Sequence, residues 1–169
     1  MQNNDLAVVM RLGMRRLASG VCVLSTCVGE TERFAMTVSS VTSVSDSPAS
    51  LLVCINQLVS RQEHLSTVGS HFAINVLGQE HQAISNLCAG RAPEKNRFEI
   101  GDWVDHQGVP VLADAPAVFI CETDKVTSYG THHIIIALIK DVLIASDPGA
   151  ALIYADGSYG KFAPDELGE

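Results

Sequence analysis

Apolar positions recur at helical spacing near the start of the chain and then give way to strand-like runs. Leu6, Val9, Met10, Gly13, Met14 and Leu17 fall three and four apart, with Arg11, Arg15 and Arg16 toward other faces. The spacing predicts an amphipathic helix over 5–18 that lies on something, ended by Gly20. VCVLSTCV over 21–28 reads as a strand closed by a turn at Gly29, and a second β segment follows over 34–45. SLLVCIN over 50–56, after Pro48, suits a strand buried on both sides. A short helix is predicted over 60–68, with Leu65 and Val68 inside, and a strand over 71–77. Between Gly78 and Gly90 the intervals of Ala83, Ile84, Leu87 and Cys88 predict a helix over 79–89. Periodicity dissolves over 91–109, a long surface connection of the kind that is more often functional or interface-forming than idle. The last third predicts strands over 117–127, 131–144 and 151–154, with turns at 128–130 and 147–149.

Five or more strands joined by short turns, with two or three helices inserted, predict a mainly β chain built as an antiparallel barrel with helical decoration. No G-x-G-x-x-G follows a strand and no βαβ alternation occurs, so a nicotinamide cofactor would bind outside the dinucleotide-binding fold. At 169 residues the chain fits one domain over 1–169: a helix over 5–18, a barrel over about 21–155 and a short C-terminal tail. The 47% apolar content exceeds what one small barrel needs, which makes a homo-oligomer the expectation.

The formal charge of −8, with no basic run longer than Arg15-Arg16, excludes a nucleic-acid binder; any anionic ligand must be held locally. Charges interrupt the N-terminal segment every few residues, so neither a signal peptide nor a membrane span is expected, and the location is cytoplasmic. Cys22, Cys27, Cys54, Cys88 and Cys121 form no C-x-x-C pair, which removes a disulfide framework and a zinc site and leaves them as buried small hydrophobes. His64, His71, His81 and His106 have no ligand spacing, so no metal is expected, and no nucleophile motif supports hydrolysis.

Candidate chemistry concentrates in two places. Six hydroxyl residues stand in the nine positions 37–45, which suits the pyrimidine edge, ribityl chain or phosphate of a flavin, or equally a solvent-facing Thr/Ser strand. In Gly130-Thr131-His132-His133, Gly130 allows a tight turn and the two histidines point to opposite faces of the following strand, so only one can face a pocket. Arg61 is suited to an anion, or to a solvated helix start.

The segment AMTVSSVTSVSDSPASLLVCIN resembles the hallmark of the flavin reductase-like, FMN-binding split-barrel family. The resemblance continues through MRRLASGVCVLST, HFAINVL, NRFEIGDW, GTHHIIIALI and LIYADGSYGKF, in order and over nearly the whole chain. Through VCIN and GTH it is similar to the small NAD(P)H:flavin oxidoreductase component of two-component aromatic monooxygenases of the 4-hydroxyphenylacetate type. This resemblance implies an antiparallel Greek-key split β-barrel with peripheral helices. It also implies a homodimer that transfers a hydride from NADH or NADPH to FMN or FAD and gives the reduced flavin to a separate flavin-dependent monooxygenase.

Carried over by position, the family pattern implies that Thr37, Val38, Ser39 and Ser40 border the isoalloxazine and ribityl groups, that Ser45 supports their loop, and that Asn56 lines the same pocket. Ser60 and Arg61 fall near the family's phosphate turn, although Leu58-Val59 occupy commonly polar places. Phe98, in an Arg-Phe pair, would cover a flavin edge, anchor the dimer or pack in the core. Gly130 shapes the turn that presents His132, the catalytic candidate beside the nicotinamide, with His133 external and Thr131 where many relatives carry an acid. Tyr154 and Tyr159 match an aromatic position near the cofactor. Two other readings share these features: a split barrel that retains FMN as a prosthetic group, and a flavin-binding domain that is not an enzyme.

Overall fold

Described residues are 3–29, 31–90 and 95–162 of a computed structural model. In chain order they form α1 (Asn3–Met14), β1 (Ser19–Gly20), β2 (Cys22–Val28), β3 (Glu32–Val38), β4 (Thr42–Asp46), β5 (Ala49–Asn56), α2 (Gln62–Leu65) and β6 (His71–Val76). A single 3-10 turn (Gln79–His81) leads into α3 (Gln82–Cys88), followed by β7 (Trp103–His106), β8 (Val109–Leu112), β9 (Ala117–Tyr129), β10 (His132–Ile144), β11 (Leu152–Ala155) and β12 (Ser158–Lys161).

Seven strands share one antiparallel sheet in the order β3-β2-β6-β9-β10-β5-β4. Its two edge strands, β3 and β4, are consecutive in sequence and are separated only by residues 39–41. Laid flat, seven strands would hold their edges about 29 Å apart, whereas that connection reaches about 14 Å. The sheet therefore curls until its two edge strands approach at that corner without pairing, which is the split barrel. Ser40 pins the seam: its Oγ donates to the Cys54 carbonyl at 3.0 Å and accepts from the Cys54 N–H at 3.1 Å, standing in for a strand partner of β5.

Strands β2 and β6 are buried on both faces, with Val23, Leu24, Phe72, Ala73 and Ile74 all at 0% exposure. Leu24, Phe72 and Ile74 join Val53, Ile55 and Ile135 inside the barrel, while Val23 and Ala73 join Ile84, Val111, Leu112 and Leu152 beneath α3 and the β7–β8 hairpin. Buried Asn75 fixes that hairpin: its Nδ2 donates to the Val23 carbonyl and to Ser25 Oγ, both at 2.9 Å, and its Oδ1 accepts from the Leu112 N–H at 2.8 Å.

Several expectations are corrected. β5 alternates between buried and half-buried positions rather than being enclosed on both sides, because its outer face, with that of β10, lies open. The predicted segment 34–45 is two strands, broken where the chain turns the barrel seam. The connection over 91–109 is not all loop; β7 lies within it and β8 starts at its end, all four β8 residues being buried. Residues 91–94 of that connection, and the tail beyond 162, lie outside the described residues. Cys22, Cys88 and Cys121 are buried as expected, and burial pushes their thiols up to about 12, 11 and 12; Cys27 and Cys54 are only half-buried.

Candidate active site

β3 leaves one edge unpaired, and a cavity lies at each end of the strand. At its C-terminal end a cavity of about 240 Å³ is lined by Val21, Thr37, Val38, Ser39, Ala89, Tyr154 and Tyr159. Strand alternation puts Thr37 on the α3 side, where its Oγ1 donates to the Ser85 carbonyl at 2.6 Å. Tyr159, brought in by the β11–β12 hairpin, packs edge-to-face on Tyr154 with centroids 5.1 Å apart, and its hydroxyl meets Ser85 Oγ at 2.8 Å. Ser39 is exposed, and residues 39–41 have left the ladder, so their backbone N–H groups are unclaimed by neighbouring strands. An apolar floor with a few hydroxyls and free peptide N–H groups is what the flat, acceptor-rich ring of a flavin requires.

At the other end of β3 a second cavity, of about 260 Å³, is lined by Glu32, Arg33, Phe34, Ser60, Arg61, Asn96, Arg97 and Phe98. Arg61 precedes α2 in the left-handed region, φ 66, a costly conformation for a residue with a Cβ, and its guanidinium pairs with Glu32. Phe98 sits edge-on to Trp103 at 5.0 Å, with the Arg33 guanidinium 4.0 Å over its ring. Arg97 lies over Phe34 and donates to the Ala35 carbonyl, which ties the 96–98 segment to the free edge of β3.

The fold thus gathers Thr37, Val38, Ser39 and Tyr159 in one cavity and Ser60, Arg61 and Phe98 in another. Ser40 is engaged in the seam. Ser45 is exposed in β4, and its Oγ accepts from the Ser47 N–H at 3.1 Å, so this bond serves the turn at 46–49. Gly130 makes the β9–β10 turn at φ 56. His132 pairs in register with Asn56 and lines neither cavity; it shares the outer face of the sheet with Ile134 and Ile136, and its Nδ1 lies 2.9 Å from Thr131 Oγ1. His133 does not stand outside: it alternates with fully buried Ile135 and Ala137, and its Nδ1 meets Ser128 Oγ at 3.0 Å. Arg33 was not signalled by the sequence, where a lone arginine in a strand is unremarkable; only its i, i+4 spacing to Thr37 marks the shared face.

Among the described residues no cluster of three or more His, Cys, Asp or Glu side chains could hold a metal, and no helix is long and apolar enough to cross a membrane. The carboxylates with the clearest shifts lie away from these cavities. Hydrogen bonds from His71 and Lys140 hold Glu122 below its usual range, and a hydrogen bond from His106 does the same for Asp141.

Residues 14–163 match the flavin reductase like domain. The chain is 37% identical over 154 residues to an FMN reductase (NADH), RutF 1, of Methylorubrum extorquens, covering 90% of this chain and 75% of the relative. It is 35% identical over 159 residues to the reductase component of an FADH(2)-dependent resorcinol hydroxylase of a Rhizobium strain, covering 93% and 88%. Among solved structures it is similar to the flavin reductase PheA2, with a TM-score of 0.83 and 27% identity over 97% of this chain and 100% of that one. The chain belongs to the flavin reductase like domain family.

Proposed function

We propose that the chain, acting as one domain over 1–169, is an NADH:flavin oxidoreductase that binds its flavin along the free edge of β3 and releases it reduced to a separate monooxygenase. The observation that carries this reading is the cavity at the end of β3, where Thr37, Val38, Ser39 and Tyr159 meet in a member of this family. When bound, the nicotinamide supplies a hydride from C4 and the flavin receives it at N5. The protein's part is alignment, which needs neither nucleophile nor metal. Val38 and Val21 give the ring an apolar floor, the N–H groups of residues 39–41 meet its polar edge, and Tyr159 walls the far side. Ser60 and Arg61 hold the flavin phosphate, Phe98 covers a flavin edge, and Asn56 and His132 present a polar pair for the nicotinamide carboxamide.

A homodimer completes this site. On the outer face of β5 and β10, Leu52, Cys54, Ile134, Ile136 and Leu138 form a half-buried apolar row where a solvent-facing strand would carry polar residues. On α1, Leu6 and Val9 are 60% and 55% exposed among the described residues, an apolar stripe left largely open. A second copy laid on these surfaces would bury both and bring a wall to His132. The names of the relatives, an NADH-dependent FMN reductase and a hydroxylase's reductase component, favour a flavin that leaves over one retained as a prosthetic group. The reductase is placed in the cytoplasm, where its nicotinamide is supplied.

The test is steady-state oxidation of NADH and of NADPH against titrated FMN, FAD and riboflavin. Turnover should need added flavin and saturate with it. Nicotinamide oxidation by a flavin-free preparation, undiminished without added flavin, would rule the reading out.

A further inference from the structure

Cys27 stands in a row of polar side chains that crosses four neighbouring strands, β3, β2, β6 and β9. On β3 its register partner is Arg33, and directly opposed residues share a face. On its other side β2 pairs with β6 as far as Ser25 and Ala73, and the same register continued sets Cys27 opposite His71. Thr26 Oγ1 donates to the His71 carbonyl at 2.7 Å, which holds the two strands together at this row. His71 is in turn the register partner of Glu122, and its Nε2 lies 3.1 Å from Glu122 Oε2.

The far end of the row fixes its polarity. Hydrogen bonds from His71 and from Lys140, whose Nζ is 3.4 Å away, hold Glu122 below its usual range, so the carboxylate stays ionised. A carboxylate only accepts, which puts the His71 proton on Nε2 and leaves Nδ1 of the neutral ring with its lone pair. A thiol with an oriented imidazole on one side and a guanidinium on the other has the nucleophile, base and orienter of a reactive cysteine. The thiol is also within reach of solutes, since Cys27 and His71 line one open cavity of about 480 Å³. Cys22, Cys88 and Cys121 are buried, and Cys54, the other half-buried cysteine, has Ile134 as its partner across the ladder.

We infer that Cys27 is a peroxide-reactive thiol, oxidised to its sulfenic acid with His71 as the base. His71 Nδ1 takes the thiol proton, and the sulfur attacks one oxygen of hydrogen peroxide. The O–O bond breaks as the S–O bond forms, and the departing hydroxide regains the proton from His71 and leaves as water. An electron pair passes from sulfur to peroxide, and no further reductant or oxidant is needed. Reduced flavin that meets dioxygen before it meets an oxygenase yields hydrogen peroxide, so the chain's own reaction supplies the oxidant. The inference rests on the reductase reading for that source alone.

The test treats the whole protein with hydrogen peroxide in the presence of dimedone and follows each cysteine by peptide mass spectrometry. Cys27 should be trapped about tenfold faster than Cys54. His71→Asn, at a side chain 53% exposed, should slow Cys27 about tenfold and leave Cys54 unchanged. Cys27 trapped no faster than Cys54, or at the wild-type rate in His71→Asn, overturns the inference. During aerobic turnover with NADH and FMN and no oxygenase, Cys27 should be trapped without added peroxide, and catalase should prevent it. Turnover that leaves Cys27 reduced overturns flavin as the source of the oxidant. A protein whose Cys27 reacts with added peroxide but that reduces no flavin would sink the reductase reading alone. One that reduces flavin while Cys27 lags behind Cys54 would sink this inference alone.

Discussion

Asn56 and His132 are register partners across the β5–β10 ladder, the last residue of one strand and the first of the other. Directly opposed residues share a face, so both side chains stand on the outer side of the sheet, where the proposed dimer closes. Asn56 is held by its own turn, its Oδ1 accepting from the Leu58 N–H at 2.9 Å. If this pair positions the nicotinamide, His132→Ala should slow hydride transfer or weaken nicotinamide binding about tenfold to a hundredfold, ~1.4 to 2.7 kcal/mol, with flavin affinity little changed. His133→Ala, on the interior side, should leave both steps near wild type. Anaerobic stopped-flow reduction of bound flavin, with a parallel flavin fluorescence titration, separates the effects. Wild-type reduction by His132→Ala would remove His132 from the site.

Ser40 links the seam to the flavin loop, since its hydroxyl satisfies both backbone groups of Cys54. Ser40→Leu orphans a donor and an acceptor and forces bulk into the loop, so we expect a loss of about 1 to 3 kcal/mol in urea unfolding. The apparent flavin KM should rise about tenfold, because residues 39–41 lose their anchor. A folded variant with unchanged stability would show that the seam does not depend on this hydroxyl.

Ile136 stands at the centre of the open apolar row, opposite Leu52 on β5 and Lys125 on β9. In a monomer, Ile136→Asp would place a charge on a solvated strand at little cost. In a dimer it would bury that charge without a partner, a penalty of several kcal/mol. The variant should therefore sediment as a monomer and lose flavin reduction, while far-ultraviolet circular dichroism stays that of the wild type. An active wild-type monomer in sedimentation would remove the dimer.

The strands were legible where apolar runs or alternation mark them, and the hydroxyl run over 37–45 pointed to the cavity at the end of β3. Two hairpins were not read. Asp156-Gly157 joins β11 to β12 and Gln107-Gly108 joins β7 to β8, each pair at positive φ, the conformation of a two-residue hairpin turn. The Asp-Gly signal was present in the sequence. The Gln-Gly one was weaker, and Pro110 obscured the strand after it, being tolerable there because β8 has a single partner. The face of each histidine could not be read from alternation alone, since nothing in Gly130-Thr131-His132-His133 says which side of β10 is buried; that is decided by Ile135 and Ala137 packing under β5. The arginine cavity was illegible for a related reason: Arg33, Arg61 and Arg97 are scattered in sequence and converge only when α2 and the 96–98 segment fold against β3.

Gly101 shows how tightly the segment carrying Phe98 is seated. It adopts φ +88, a region that disfavours any residue with a Cβ, and a Cβ built there would lie 2.8 Å from Ile84 Cδ1, 3.0 Å from Leu112 Cδ1 and 3.2 Å from Trp103 Nε1. These neighbours are walls. Leu112 is fully buried, Ile84 belongs to α3, and Trp103 is pinned by donation from its Nε1 to the Ile100 carbonyl at 2.9 Å. Gly101→Ala should cost about 1 to 2 kcal/mol for the backbone and about 1 to 3 kcal/mol for overpacking. Together they lower stability by about 2 to 5 kcal/mol, read as a reduced midpoint in urea with an unchanged slope. Displacement of Trp103 would carry Phe98 with it through their 5.0 Å ring contact, so in protein that remains folded the apparent flavin KM should rise as well. Trp103 is the only tryptophan, which makes its fluorescence a direct monitor of this packing. A variant with wild-type unfolding midpoint and emission would show that the segment after Phe98 is loosely seated and that Phe98 is positioned by something else.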